Sequence, residues 1–149
     1  MILEGAEIRL RPFREDDRTA LIAALNDWSV AQWLVAPPFP YTDADADWWI
    51  DKVASEHEGG EPESFAVAAV SDDALLGAMS VENELGYWLK PDAWGRGVAT
   101  RAAAMLVSYG VGTLARTRIL ARTDPENHAS ARVLAKVGFR CLGPLSTAE

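Results

Sequence analysis

The stretch Gly86-Tyr87-Trp88-Leu89-Lys90-Pro91-Asp92-Ala93-Trp94-Gly95-Arg96-Gly97-Val98-Ala99-Thr100 constrains the fold more than any other part of the chain. It reads as a strand, a glycine-containing turn and the start of a helix. The first turn of a helix carries four backbone N–H groups without internal partners, and the helix dipole adds partial positive charge there. Together they make a site for phosphate. Glycine lacks a Cβ and lets a pyrophosphate come close to the main chain. Gly95 and Gly97 stand where that matters, and Arg96 adds a direct charge between them. On glycine spacing alone, a plain turn explains the pair equally well. A P-loop requires a Lys-Ser/Thr ending, whereas Val98 and Ala99 follow Gly97. A dinucleotide fingerprint requires a third glycine where Thr100 stands. Neither pattern fits.

Strands surround this unit. Glu7 to Phe13 alternates apolar and charged residues, as a half-buried strand does. Asp16 or Asp17 is placed to cap a helix carrying Leu21, Ile22 and Leu25, and a second short helical stretch carries Val30, Trp33 and Leu34. Pro37-Pro38-Phe39-Pro40 requires a loop. Thr42 with Asp45 forms a capping box for a helix through Trp48, Trp49, Ile50 and Val53, ending before Gly59-Gly60. Phe65–Val70 and Leu75–Val81 read as strands joined by Ser71-Asp72-Asp73, and Leu85–Leu89 as a third. The helix after Gly97 places Ala102, Met105, Leu106 and Tyr109 on one face. Arg118–Thr123 is expected as a strand, Ala131–Val137 as a helix stopped by Gly138, and Phe139–Leu142 as the start of a last strand. Strands in a run, then alternating with helices, indicate an α/β or α+β sheet domain, and 149 residues fit one such domain.

Composition narrows the chemistry. Cys141 is the single cysteine and the two histidines, His57 and His128, lie far apart, which disfavours a metal centre. The formal net charge of −8 argues against nucleic acid and permits a basic substrate. No apolar run reaches the roughly 18 residues of a membrane span, and the amino terminus lacks a secretory signal. The expectation is therefore a cytoplasmic protein without metal, nucleic-acid or membrane partners.

Trp94-Gly95-Arg96-Gly97-Val98-Ala99 resembles the acyl-CoA loop of the GNAT superfamily of N-acetyltransferases, commonly written Arg/Gln-x-x-Gly-x-Gly/Ala, with Trp94 in the Arg/Gln position. The Tyr-Trp-Leu that precedes it is similar to the branch of ribosomal-protein N-terminal (alanine/serine) acetyltransferases. A second block, Asp124 to Phe139, resembles that branch's Asn-x-x-Ser … Gly-Phe motif through Asn127, Ser130, Gly138 and Phe139. The amino-terminal Arg-Leu-Arg-Pro-Phe with its acidic helix cap matches the branch's opening. Three motifs in order cover most of the chain.

The resemblance implies a GNAT-like mixed, mostly antiparallel central sheet flanked by helices, with a shortened C-terminal end. It implies acetyl-CoA as cosubstrate and a primary amine as acceptor, a peptide N-terminus or a small molecule, acetylated by direct attack. The N–H groups from Gly95 through Thr100, with Arg96, Val98 and Ala99 between, are then expected to hold the pyrophosphate. The strand at Trp88 and Leu89 is expected to pair with the pantetheine arm, with an N–H near Leu89 polarising the thioester carbonyl. Asn127 is expected to bond that arm, and Ser130 to lie near the sulfur. Helix capping is the competing role for Asn127 and Ser130.

Glu84 is the candidate base, acting through water, against the alternative of an exposed turn carboxylate beside Glu82. Leu134 stands where many members carry an acidic tyrosine, so Ser130 is the substitute acid. Trp28, Trp33, Trp48 and Trp49 read mainly as packing, with one or two free to border the acceptor. The chain ends soon after Gly143, where members continue with a further strand and hairpin, so an uncovered sheet edge and a homodimer are expected. Arg101 replaces a frequent glutamate. A catalytically impaired acyl-CoA-binding module is the alternative function.

Overall fold

The computed structural model describes residues 1–144. Its centre is an antiparallel sheet in the order β1 (Leu3–Glu4), β2 (Ile8–Arg11), β3 (Ser64–Ala69), β4 (Leu75–Ser80), β5 (Gly86–Leu89). Helices α1 (Arg18–Leu25), α2 (Trp28–Ala31) and α3 (Asp43–Glu58) connect β2 to β3, while α4 (Val98–Gly112) and α5 (His128–Val137) follow β5. This is the mixed architecture that the motifs imply.

Both sheet faces are covered, and the strand sequences show it. Central strands with helices on each side lose the apolar–polar alternation and read as continuous apolar runs. The β3 run Phe65-Ala66-Val67-Ala68 is wholly buried. Leu10, Phe65, Val67, Met79 and Leu89 pack with Ala102 and Leu106 of α4. Ala66, Leu75, Ala78 and Trp88 pack on the other face with Leu21, Leu25, Ile50 and Val53. A stripe of small residues on α4 lets that helix sit close to the sheet.

Local signals explain the helix ends. Thr42 Oγ1 accepts from the Asp45 N–H at 3.2 Å, and Asp45 Oδ2 accepts from the Thr42 N–H at 2.8 Å, completing the expected capping box. The expected cap on α1 is different. Asp17 precedes the helix, but its carboxylate turns away to accept from Arg11 Nη1 and Nη2 at 2.8 and 2.9 Å and from the Arg14 N–H at 2.9 Å. Arg11 is 3% exposed and Asp17 5%. A charge that deep takes a charged partner ahead of a helix N–H. Asp73, in the β3–β4 turn, accepts from Arg11 Nε at 3.0 Å and closes the network. Asn26 ties down the next loop: its Oδ1 accepts from the Tyr41 N–H at 2.7 Å and its Nδ2 donates to the Tyr41 carbonyl at 2.8 Å.

Three expectations change. α2 ends at Ala31, so Trp33 and Leu34 lie beyond it. Arg118–Thr123 alternates as a strand does, with Ile119 and Ala121 against the core and Arg118, Leu120 and Arg122 exposed. Among the described residues it nevertheless forms no ladder: one bond, from the Leu85 N–H to the Leu120 carbonyl at 2.8 Å, joins it to the residue before β5. A strand requires successive paired bonds. Residues 139–142 are likewise not a strand, because no neighbouring segment pairs with them among the described residues.

Candidate active site

The glycine loop is built for close approach. A short 3-10 turn at Pro91–Ala93 leaves β5, and Gly95 and Gly97 then adopt φ of +72° and +73°. L side chains rarely adopt that conformation. Gly97 is the N-cap of α4 and offers no side-chain cap, so the first-turn N–H groups are left for an outside acceptor. A Cβ on Gly95 would meet nothing within 4 Å, so the loop's outer side is open. Arg96 folds back, its Nη1 donating to the Asp92 carbonyl at 3.1 Å. Arg101 Nη1 donates to the Arg96 carbonyl at 2.8 Å, which brings a second guanidinium behind the loop. Val98 and Ala99 are buried under the helix start and Thr100 is half-buried.

Trp94 links this loop to β5. Its indole Nε1 donates to the Leu89 carbonyl at 3.0 Å while the ring stays exposed. Hydrogen bonds in an antiparallel pair alternate in direction along each strand. The Lys90 N–H bonds the Leu76 carbonyl at 2.8 Å toward β4, and the Leu85 N–H bonds Leu120 on the opposite side. The backbone groups of Tyr87 and Leu89 therefore point away from β4, toward the sheet's outer edge. At Leu89 the carbonyl is taken by Trp94, leaving the N–H as the free group. Trp88 faces α1–α3, whereas Tyr87 and Leu89 face α4 and α5.

α5 supplies the facing wall. Asn127 is its N-cap, with Oδ1 accepting from the Ser130 N–H at 3.2 Å, so the capping role assigned by residue type is realised. Its side-chain NH₂ is left free to donate. Ser130 is half-buried, and its Oγ accepts from the Tyr87 hydroxyl at 3.0 Å. Leu134 lies one turn further along and packs against the core. Burial pushes the Tyr87 hydroxyl above its ordinary pKa, an effect that the Ser130 bond partly offsets.

Glu84 lies outside this group. It is about 10 Å before Tyr87 along the chain, at ~3.3 Å per residue, and its Oε2 pairs with Arg122 Nε at 2.7 Å. Its neighbour Glu82 pairs with Lys52 at 3.1 Å. A cavity of about 360 Å³ opens between Ile8, Val70, Arg96 and Val98. It flanks the back of the loop and is lined by neither Tyr87 nor Ser130; the candidate site is the space along the outer edge of β5, where Tyr87 meets Ser130 of α5. Trp28, Trp48 and Phe39 are exposed on the α1–α3 side, with the Trp28 and Phe39 rings tilted 60° to each other at 5.2 Å between centroids. Trp49 packs edge-on to Phe13 at 5.8 Å. Sequence reasoning missed Tyr87 and Arg122. Alternation with Leu85 and Leu89 was the available signal for Tyr87, since it puts all three on one face.

The acetyltransferase (GNAT) domain family matches residues 7–140. The chain is 28% identical to YnaD, an uncharacterized N-acetyltransferase of Bacillus subtilis, over 94% of its own length and 83% of that relative's. A GNAT-family acetyltransferase from Bacillus anthracis shares the fold at a TM-score of 0.83 and 25% identity, over 96% of this chain and 86% of that one. RimJ of Mycobacterium smegmatis, solved in complex with CoA-disulfide, does so at 0.74 and 25%, over 91% and 71%. Loop, open strand edge and motif order agree with these likenesses, and the chain belongs to the GNAT family of acetyltransferases.

Proposed function

We propose that this N-acetyltransferase transfers an acetyl group from acetyl-CoA directly to a primary amine, a protein N-terminus or a small amine, in a ternary complex. The observation that carries the reading is the Trp94 bond to Leu89, which joins a phosphate-ready glycine loop to an unpaired strand edge. The residues present suit the cosubstrate. The N–H groups of the Gly95–Thr100 turn would take the pyrophosphate, where the absent Cβ atoms leave room. The outer edge of β5 at Tyr87 and Leu89 would take the amides of the pantetheine arm. The free Asn127 NH₂ would bond it from the facing wall. Bound there, acetyl-CoA supplies an activated acetyl thioester. Leu89 presents a donor without an acceptor, which selects for a carbonyl oxygen at that point.

The acceptor must present a neutral amine. An α-amino group with pKa near 8 is roughly one-tenth neutral at pH 7, whereas a lysine near 10.4 is neutral at about one part in 2,500. An N-terminal amine thus requires little help. Glu84 works as base through water, its carboxylate oriented by Arg122.

The test is calorimetric titration of acetyl-CoA into the protein and into Gly97→Glu. Micromolar binding that disappears in the variant is expected, because a carboxylate then occupies the phosphate position. A wild type that binds no acetyl-CoA, or a variant that binds equally well, refutes the reading. Binding without turnover over a screen of amines favours the impaired binding module instead.

A further inference from the structure

Tyr87 and Ser130 lie 43 residues apart and come from β5 and α5, yet their hydroxyls meet at 3.0 Å. Ser130 is held at two points. Its backbone N–H is fixed by Asn127 Oδ1 at 3.2 Å, and its Oγ accepts the Tyr87 proton. A serine hydroxyl has one proton and two lone pairs. With Tyr87 as donor, the Ser130 proton remains to be given, and among the described residues no acceptor meets it. Donors in a chain polarise one another, so this proton is offered more strongly than that of an isolated serine. A tyrosine hydroxyl ordinarily titrates near 10 and burial raises Tyr87 further, so it remains a donor at neutral pH.

We propose that Tyr87 is a positioning residue for the leaving thiolate: by donating to Ser130 Oγ it aims the Ser130 proton at the sulfur of a thioester laid along the outer edge of β5. The inference rests on the acetyl-CoA reading above. In the transfer, the lone pair of the amine nitrogen forms the new N–C bond, the C–S bond breaks, and its electron pair leaves on sulfur. The nitrogen's surplus proton passes to the base or to water. The sulfur anion accepts a hydrogen bond from Ser130, and the departing thiolate takes its neutralising proton from water. Tyr87 touches neither sulfur nor amine; it acts through Ser130.

A residue that merely braces β5 against α5 would leave the acidity of a bound thiol unchanged, so that acidity is the measurement. CoA is bound to the protein, and its thiolate is followed by ultraviolet absorbance against pH, in the wild type, Tyr87→Phe, Ser130→Ala and the double variant. In the wild type, the bound thiol is expected to titrate about one unit below that of free CoA measured alongside, a tenfold shift toward thiolate. Tyr87→Phe and Ser130→Ala each return it to near the free-CoA value, and the double variant goes no further, as for residues acting as one unit. Calorimetry at pH 6, where the free thiol is protonated, sets for each protein the CoA concentration at which the site is saturated for its titration. Superimposable thiol titrations of wild type and Tyr87→Phe overturn the proposal. So does a Tyr87→Phe effect that persists undiminished on the Ser130→Ala background. A wild type that binds no CoA in the calorimeter overturns both this proposal and the acetyl-CoA reading; binding with unshifted titrations overturns this one alone.

Discussion

Removing the carboxylate of Asp17 isolates the largest single charged interaction of the core. Asp17→Ala deletes both acceptors of the Arg11 fork, at 2.8 and 2.9 Å, and the acceptor of the Arg14 N–H at 2.9 Å. Breaking a buried ion pair from one side costs about 3–5 kcal/mol, because the other charge is stranded. Arg11 is not wholly stranded here. Asp73 Oδ1 still accepts from its Nε at 3.0 Å, the Asp73 carbonyl from Nη2 at 3.0 Å, and the Pro12 carbonyl from Nη1 at 2.9 Å. The loss therefore belongs at the low end, about 3 kcal/mol. For a chain of this size that lowers Tm by about 6–12 °C. With an m-value near 2 kcal/mol/M it moves the urea midpoint by about 1.5 M. Arg11→Met with Asp17→Leu replaces the pair by apolar groups of similar size and should recover to within about 1 kcal/mol of wild type. Urea unfolding followed by circular dichroism measures all three. A loss below 1 kcal/mol in Asp17→Ala, or a double variant worse than the single, would refute the argument from burial.

Two further substitutions test the strand edge and the acidic pole of α3. Gly77 pairs with Leu89, and a Cβ there would overlap the Trp88 carbonyl oxygen and lie 2.7 Å from Leu89 Cδ2. Gly77→Ala should cost about 2–3 kcal/mol in urea unfolding and weaken acetyl-CoA binding at least tenfold; unchanged affinity would detach β5 from the site. Burial alone would raise the Glu56 carboxyl, but the Lys52 ammonium at 2.6 Å and the N–H groups of Glu63 and Ser64 outweigh it and hold the group below its usual range. A depressed folded value gives stability that is full above the unfolded pKa of about 4.3 and is lost as pH falls through the folded one. Glu56→Gln should thus cost about 1–2 kcal/mol at pH 7, with the gap to wild type closing below pH 4 in parallel melts. A gap that stays constant from pH 7 to pH 3 refutes the charge-based account.

Sequence reasoning succeeded where one local interaction decides the outcome. The Thr42–Asp45 box, the turn at Gly95 and Gly97 and the stop at Gly138 are each set within a few residues. It failed where a distant partner decides. Asp17 had the right type and position for a cap, and only the fold brings Arg11 and Asp73 to it. The 118–123 segment has the alternation of a strand, yet among the described residues its backbone bond to the sheet side is the one from Leu85, just before β5, to Leu120. The site divides in the same way. The glycine-containing turn was legible from its strand–turn–helix setting, whereas the Tyr87–Ser130 bond joins residues 43 positions apart.

The Asn26 side chain, bonded to both backbone groups of Tyr41, imitates one rung of a sheet ladder across 15 residues. Holding the ends of such a segment together costs roughly 2 kcal/mol in chain entropy, which a single amide must offset. Between those ends, Trp28, Trp33 and Phe39 are exposed, and Val30 is the buried anchor. This aromatic surface is tied to the domain by the Asn26 amide, by Val30 and by the half-buried Leu34, which packs against the same core. With so few buried anchors, its amides are expected to exchange with solvent ahead of those of the central strands, which hydrogen exchange measures.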